Sequence, residues 1–293
     1  MTQDIFPSPA VLALCSALLF AVGVQVHNLG LRYTDSRTGT LISILASAVF
    51  YWSLSPWFLQ RSYWLTSAVV LFIVIGLFRP FLSANLALAG IRHLGPTLSS
   101  TLASTAPLFG ALFAVLILDE SMTPALLVGT VAIVSGIVIL TYRGNTPSSW
   151  PVWALGLPIG AAVLRALAHA LTKLGLNVVP DPLFAGLVGY TVSLTIALIA
   201  GSGKTDRFFT HLKWTPGLLW FFLGGLINGV SIWSLNTALQ TGTVVSVVPI
   251  VAVSPVLSFF LGYFVFRRET FTFRIIITML LVVPGVIMIA SAN

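Results

Sequence analysis

The feature that most restricts how this chain can fold is a series of apolar runs. Each run is close to 20 residues long, and polar connections join them. About 20 residues of α-helix cross the hydrocarbon core of a bilayer, which is about 30 Å thick. Lipid offers the backbone no hydrogen bonds, so such runs fold as helices. They occupy residues 10–31, 39–59, 65–91, 96–118, 124–142, 151–176, 182–200, 215–239, 243–266 and 271–291.

The composition agrees with this interpretation. The chain is 57% hydrophobic and 7% charged, whereas soluble domains carry about 25% charged residues. A net charge of +7 is explained more simply by basic residues in cytoplasmic loops than by a nucleic-acid partner. Cys15 is the single cysteine, so no intrachain disulfide forms. We predict an all-α polytopic membrane protein with ten transmembrane helices in contact with lipid.

The sequence repeats itself at an offset of 145 to 151 residues. The matching pairs are "HNLGL" at 27–31 with "TKLGL" at 172–176, "NLAL" at 85–88 with "NTAL" at 236–239, and Glu120 with Glu269, each sixteen residues before a glycine. This predicts two five-helix repeats, 1–145 and 146–293. Because five is odd, the second repeat is inverted. Inverted repeats are typical of secondary transporters, which hold substrate between the halves near the midplane.

Basic residues predict the orientation in the membrane. The connections after helices 1, 3, 5, 7 and 9 contain Arg32, Arg37, Arg92, Arg143, Lys204, Arg207, Lys213, Arg267, Arg268 and Arg274. The opposite side holds Arg61 and Lys173. We therefore expect these odd-numbered connections in the cytoplasm and both termini outside it, in the cell (inner) membrane.

Three segments together resemble the EamA family of the drug/metabolite transporter superfamily. They are "FAVGVQVHNLGLRYT" (20–34), "NLALAGIRHLGPTLSSTLASTAPLFGALFAVLILDES" (85–121) and "NTALQTGTVVSVVPIVAVSPVLSFFLGYFVFRRET" (236–270). The resemblance covers both halves of the chain. It implies ten helices around a central cavity, with helices 5 and 10 peripheral, and the export or exchange of small metabolites.

Two prolines interrupt apolar helices at related places. Proline lacks an N–H and clashes with the carbonyl four residues earlier, so Pro107 frees the carbonyl of Ala103 and Pro255 that of Val251. We expect both carbonyls to face the cavity and both kinks to act as hinges. The alternative is that neighbouring serine and threonine hydroxyls satisfy the carbonyls, with no role in transport.

Glu120 and Glu269 precede helices 5 and 10 in tight turns. Ser121, Thr123 and Thr270 suit N-cap positions, and Pro124 suits the first helical position. A carboxylate there is also stabilised by the positive end of the helix dipole. We expect both glutamates to cap and fix the turns; proton or substrate binding is the alternative.

The charges placed within the apolar runs are all basic. Arg79 lies in the third run beside Pro80, and Arg165 in the sixth is followed by His169 and Lys173 at i+4 and i+8. Each buried charge costs at least about 2.5 kcal/mol to insert. Every acid falls in a terminus or connection, so we hypothesise that a carboxylate-bearing substrate supplies the counter-charge. Alternatively, the arginines snorkel or bind helix-end carbonyls, and His169 is a proton relay or packs structurally.

Neutral polar residues form a weaker candidate set. Asn85 and Asn236 hold equivalent positions in the two halves, and Asn228 and Trp233 share a run with Asn236. Amides within the membrane either line cavities or bond helices together. Trp233 lies too deep for the interfacial belt, so it either stacks on substrate or packs.

We predict a secondary transporter that moves a small metabolite, an amino acid or another carboxylate-bearing solute, by alternating access and in the export direction. The alternative is a membrane-embedded enzyme acting on a lipid or small molecule. The histidines lack metal-ligand spacing, and "GSGKT" (201–205) lacks the glycine of a phosphate loop, because Leu198 stands in its place. We expect no cofactor, metal or nucleotide, and the sequence leaves a homodimer open.

Overall fold

The computed structural model of the protein describes residues 8–141, 151–202, 215–265 and 272–292. This part of the chain is built from α-helices with two short 3₁₀ segments, Arg61–Leu65 and Val152–Leu155. The helices are α1 (Pro9–Gly30), α2 (Ser36–Phe58), α3 (Ala68–Phe78), α4 (Phe81–Ala103), α5 (Ala106–Leu118), α6 (Pro124–Thr141), α7 (Gly156–Val178), α8 (Pro182–Ser202), α9 (Pro216–Thr241), α10 (Val244–Val251), α11 (Ser254–Phe264) and α12 (Phe273–Ser291).

These helices make ten stretches that are long and apolar enough to cross a membrane. The predicted all-α, ten-span fold is therefore confirmed. Seven spans contain one α-helix each: α1, α2, α6, α7, α8, α9 and α12 are in spans 1, 2, 5, 6, 7, 8 and 10, and span 6 also includes the 3₁₀ segment Val152–Leu155. The other three are interrupted. Span 3 joins α3 to the first part of α4, span 4 joins the rest of α4 to α5, and span 9 joins α10 to α11.

The turn between spans 3 and 4 lies inside α4. A Cβ atom built on Gly90 would lie 2.9 Å from Ser99 Oγ. Nine residues of straight α-helix would separate the two positions by about 13.5 Å. The chain therefore reverses direction within α4, and the span boundaries fall at Leu94 and Leu98.

Side-chain caps explain where several helices begin. Asp35 Oδ2 accepts from the backbone N–H of Thr38 at 2.9 Å and caps α2. Thr123 Oγ1 accepts from Leu126 N at 3.3 Å, and Pro124 is the first residue of α6. The predicted cap at Thr123 and helix start at Pro124 are confirmed.

Glu120 caps a different helix from the one expected. Its Oε1 and Oε2 accept from the backbone N–H groups of Val244 and Val245 at 2.8 and 3.0 Å. These groups open α10, in the second half of the chain, not α6. The predicted capping role is therefore correct in kind but wrong in partner, since the fold brings the start of span 9 to the end of span 4. Glu269, Thr270, the basic residues at 143, 204, 207, 213, 267 and 268, and most of "GSGKT" lie outside the described residues.

The spans around the core pack as two groups. Spans 1, 2, 8 and 9 form what we call the first bundle, and spans 3, 4, 6 and 7 form the second bundle, with spans 2 and 7 also in contact. Within the first bundle, Ser16 Oγ donates to Ser231 O at 2.9 Å and Tyr51 Oη donates to Gly229 O at 2.8 Å. Buried hydroxyls thus bind helix to helix where lipid leaves polar groups without partners.

Spans 5 and 10 pack chiefly on each other, as the family resemblance implied. Thr278 Oγ1 donates to Gly136 O at 3.1 Å. A Cβ atom on Gly285 would lie 2.9 Å from the carbonyl oxygen of Gly129. Glycine at these positions lets the two backbones touch.

Alternating crossings place all the even-numbered connections on one side of the protein. Pro9 and Ser291 lie on this side with the connections at 59–67, 119–123, 179–181 and 242–243. We call it the termini side. Gly242 lies directly against Pro9 there.

Candidate functional site

A cavity of about 250 Å³ lies between the two bundles. Spans 1, 3, 6, 7 and 8 contribute its walls, and Phe20 and Arg165, which are 145 residues apart, both line it. Its polar lining consists of Arg79, Ser83, Arg165, Thr172, Tyr190, Asn228 and Asn236. The cavity therefore joins cationic and neutral polar groups in an apolar surround.

Arg79 reaches the cavity because span 3 is broken at that residue. Arg79 ends α3 in an extended backbone conformation, and Pro80, joined to it by a cis peptide bond, precedes α4. Its Nη1 lies 3.4 Å from His169 Nδ1 on span 6. Guanidinium groups only donate, so His169 Nδ1 must accept and the imidazole must be neutral in this contact. His169 therefore contacts Arg79 without lining the cavity itself.

Arg165 connects the cavity to the break in span 4. Its Nη2 donates to Ala103 O at 3.3 Å, the carbonyl that Pro107 was predicted to free. The neighbouring carbonyls of Thr101 and Leu102 accept from the hydroxyls of Ser104 and Thr105. The predicted free carbonyl is thus satisfied by Arg165, whereas the neighbouring hydroxyls bind other carbonyls of the same turn.

The guanidinium of Arg165 is only partly satisfied. Its Nε is buried and has no hydrogen-bond partner within the described part of the chain. An unpaired buried donor on a charged group is costly. The Nε atom is shielded from the cavity, although the Arg165 side chain is part of the cavity lining.

Two amides form a neutral pole of the cavity. Asn228 Nδ2 donates to Tyr190 Oη at 2.8 Å, and Asn236 Nδ2 donates to Pro182 O at 3.3 Å. Both amide nitrogens are thereby engaged across the bundles, between spans 8 and 7. Their oxygens, together with Tyr190 Oη, are the acceptors that this pole offers.

Two residues of the predicted site lie elsewhere. Asn85 is exposed and donates to Phe81 O of its own helix at 2.8 Å. Trp233 is 37% exposed and its ring centroid lies 6.3 Å from that of Phe50. Neither side chain is among the cavity lining.

Neither interrupting proline lines the cavity. Pro107 is buried near the start of α5, and Pro255 is exposed near the start of α11. Both follow a short break in their span, at 104–105 and 252–253, where a hinge was expected. Whether the breaks bend during transport stays a prediction.

Tyr190, Thr172 and Ser83 line the cavity although the sequence did not single them out. Tyr190 stacks on Tyr51 with ring centroids 5.6 Å apart. A tyrosine in the middle of an apolar run, away from either interface, is the signal that could have found it. The two small hydroxyl residues carry no comparable signal.

The acids of the described chain, Asp35, Asp119, Glu120 and Asp181, all lie in connections between the spans. Within the same residues, no three His, Cys, Asp or Glu side chains are grouped as a metal site would require. The charge of the cavity wall is therefore positive and comes from Arg79 and Arg165.

Comparisons with known proteins agree on one class. The chain matches the EamA-like transporter family over residues 7–142 and 152–291. It is 29% identical over 174 residues to a probable terminal-alkyne amino-acid exporter of Streptantibioticus cattleyicolor, a match that spans 56% of either protein. A protein of known crystal structure superposes with a TM-score of 0.80 at 15% identity, over 96% of this chain and 95% of that one. That likeness concerns the fold alone.

Proposed function

The chain belongs to the EamA-like transporter family, and from that premise we propose that it is a secondary transporter for an amino acid or another carboxylate-bearing solute. The solute binds in the cavity between the bundles. Transport proceeds by alternating access, with export from the cell as its direction. Spans 1–5 and 6–10 act as the two inverted repeats of such a machine.

The observation that carries this proposal is the positive charge of the cavity wall, since the acids of the described residues lie in connections. Arg165 lines the cavity, and its Nη2 is held by a backbone carbonyl rather than an acid. A carboxylate accepts two parallel hydrogen bonds from a guanidinium, so it suits a cavity lined by such groups. Arg79, at the same wall, adds a second positive charge.

The neutral pole supports an amino acid in particular. An α-ammonium group needs acceptors, and the oxygens of Asn228, Asn236 and Tyr190 supply them in the same cavity. The similar protein named as a probable amino-acid exporter is consistent with this substrate class. A cationic drug fits poorly, because proton-coupled cation export needs a membrane carboxylate and the acids of the described residues lie in connections.

Counterflow in proteoliposomes tests the proposal. Vesicles containing the purified protein are loaded with one unlabelled amino acid at a time and given the same labelled amino acid outside. We expect transient accumulation of intact label for at least one neutral amino acid, and none for amines of matched size.

Protein-free vesicles and vesicles containing Arg165→Ala are the controls for this experiment. Accumulation of amines but of no carboxylate would contradict the substrate class. Chemical conversion of the label would indicate an enzyme rather than a transporter.

A further inference from the structure

Lys173 binds the end of a helix in the opposite bundle. From span 6, its Nζ donates to the carbonyl oxygens of Leu239, Gln240 and Gly242 at 2.7, 3.2 and 2.9 Å. These carbonyls close the C-terminal end of α9, which carries a partial negative charge. An ammonium group of the second bundle thus holds span 8 of the first bundle.

Glu120 makes the corresponding contact with the opposite charge, at the helix that begins two residues after Gly242. At the end of span 4, it accepts from the first N–H groups of α10, where the helix dipole is positive. The connection at 242–243 is therefore held by a cation on one flank and an anion on the other. Both charges come from the second bundle, although helix ends are usually capped by local side chains.

Two further contacts join the bundles on the termini side. Gln240 Nε2 donates to Pro180 O at 2.7 Å, and Asn236 Nδ2 to Pro182 O. On the opposite side, Asn28 holds the position equivalent to Lys173 at the 145-residue offset and is exposed. Among the described residues, the hydrogen bonds that join the bundles near a membrane face therefore lie on the termini side.

We propose that Lys173 and Glu120 form the gate on the termini side: they are positioning residues whose five hydrogen bonds must break before the cavity opens there. This inference rests on the proposed transport function and names the groups that regulate access to its site. On this proposal, the conformation described is closed at the termini side, and the cavity exchanges solute with the opposite side. Replacing either charge weakens the tied state relative to the state open at the termini.

Cysteine accessibility tests the gate without requiring a known substrate. In a Cys15→Ala background, Ala185→Cys reports on the cavity near the termini side and Ala87→Cys reports on its opposite end. Sealed right-side-out and inside-out membrane vesicles are labelled with an impermeant maleimide. Arg61→Cys, on an exposed termini-side connection, identifies which vesicles present that side.

With Glu120→Gln or Lys173→Met, we expect labelling of Ala185→Cys from the termini side to rise by about tenfold or more, since charge-assisted bonds are lost. Labelling of Ala87→Cys from the opposite side should fall at the same time. Loss of structure would raise both rates, so the reciprocal change is specific to a gate. Asp119→Asn, an exposed acid beside Glu120, is the matched control and should change neither rate.

Unchanged rates, or a parallel rise of both rates in both variants, would overturn the gate. The labelling does not depend on cargo. A reciprocal change in a protein that carries no amino acid would keep the gate and refute the proposed substrate. Transport of amino acids with unchanged labelling would support the proposed substrate and refute the gate.

Discussion

At the scale of single residues, Arg165 holds together two parts of the molecule that the sequence keeps apart. It binds the carbonyl left free by the proline break in span 4 and also lines the cavity. A substrate carboxylate that binds its guanidinium adds charge-assisted hydrogen bonds, each worth about 1.5–3 kcal/mol. Arg165 should therefore contribute more to affinity than the neutral lining residues.

We expect Arg165→Gln to raise the dissociation constant for the transported solute by about 10- to 150-fold, as that energy range implies. The change removes the charge and keeps much of the length. The measurement is ligand-induced thermal stabilisation of the purified protein across a titration. Arg61→Gln, which alters an exposed arginine in a connection, is the control and should leave the constant unchanged. Equal affinity in both variants would remove Arg165 from the site.

The sequence predicted some residues of the site better than others, for physical reasons. Arg79 and Arg165 were found because charge within lipid is expensive and rarely accidental. Asn85 was misplaced by analogy with Asn236. Span 3 is interrupted at Arg79 whereas span 8 is continuous, and Asn85 is exposed while Asn236 lines the cavity.

At the scale of helices, the membrane environment made the helices predictable from sequence, but it did not show which helices contact each other. Ten runs had to become helices because the membrane satisfies no backbone group, and the structure places them within a few residues of the predicted bounds. The partner of Glu120 was not readable, since its target N–H groups are 124 residues away in sequence. The local sequence shows that a residue can cap a helix, whereas the tertiary structure determines which helix it caps.

The packing of α6 on α12 yields a prediction for stability alone. Gly285→Ala places a methyl group 2.9 Å from the carbonyl oxygen of Gly129 and from Ile133 Cγ1, so the helices must separate at a cost of about 1–3 kcal/mol. We expect a lower unfolding temperature in detergent and unchanged ligand affinity. Gly156→Ala is the control, because a Cβ atom there meets nothing within 4 Å. A variant as stable as the parent would argue against the close approach.

At the scale of the whole molecule, the distribution of charge predicts its orientation. Arg32 lies on the first connection and Arg37 in the first turn of α2 beside it, whereas Arg61 lies on the termini side. Connections rich in lysine and arginine stay on the cytoplasmic side of the membrane. The termini side should therefore face outward, which puts the proposed Lys173 and Glu120 gate on the outer face of the membrane.

Labelling of intact cells with an impermeant maleimide checks this orientation. In the Cys15→Ala background, we expect Arg61→Cys to react and Arg32→Cys to be silent until the cells are lysed. Both side chains are exposed in the structure, so reactivity reports sidedness rather than burial. The reverse pattern would place both termini in the cytoplasm and make the described state outward-open.

The arginines and the two asparagines of the cavity belong to different bundles. Arg79 and Arg165 stand on the second, whereas Asn228 and Asn236 stand on the first. A solute long enough to touch both pairs bridges two bundles that move relative to each other in the proposed transport cycle, and its binding energy can act on that motion. A shorter anion satisfies the guanidinium groups alone and leaves the bundles unlinked. Molecular length should thus distinguish solutes that are transported from solutes that only bind.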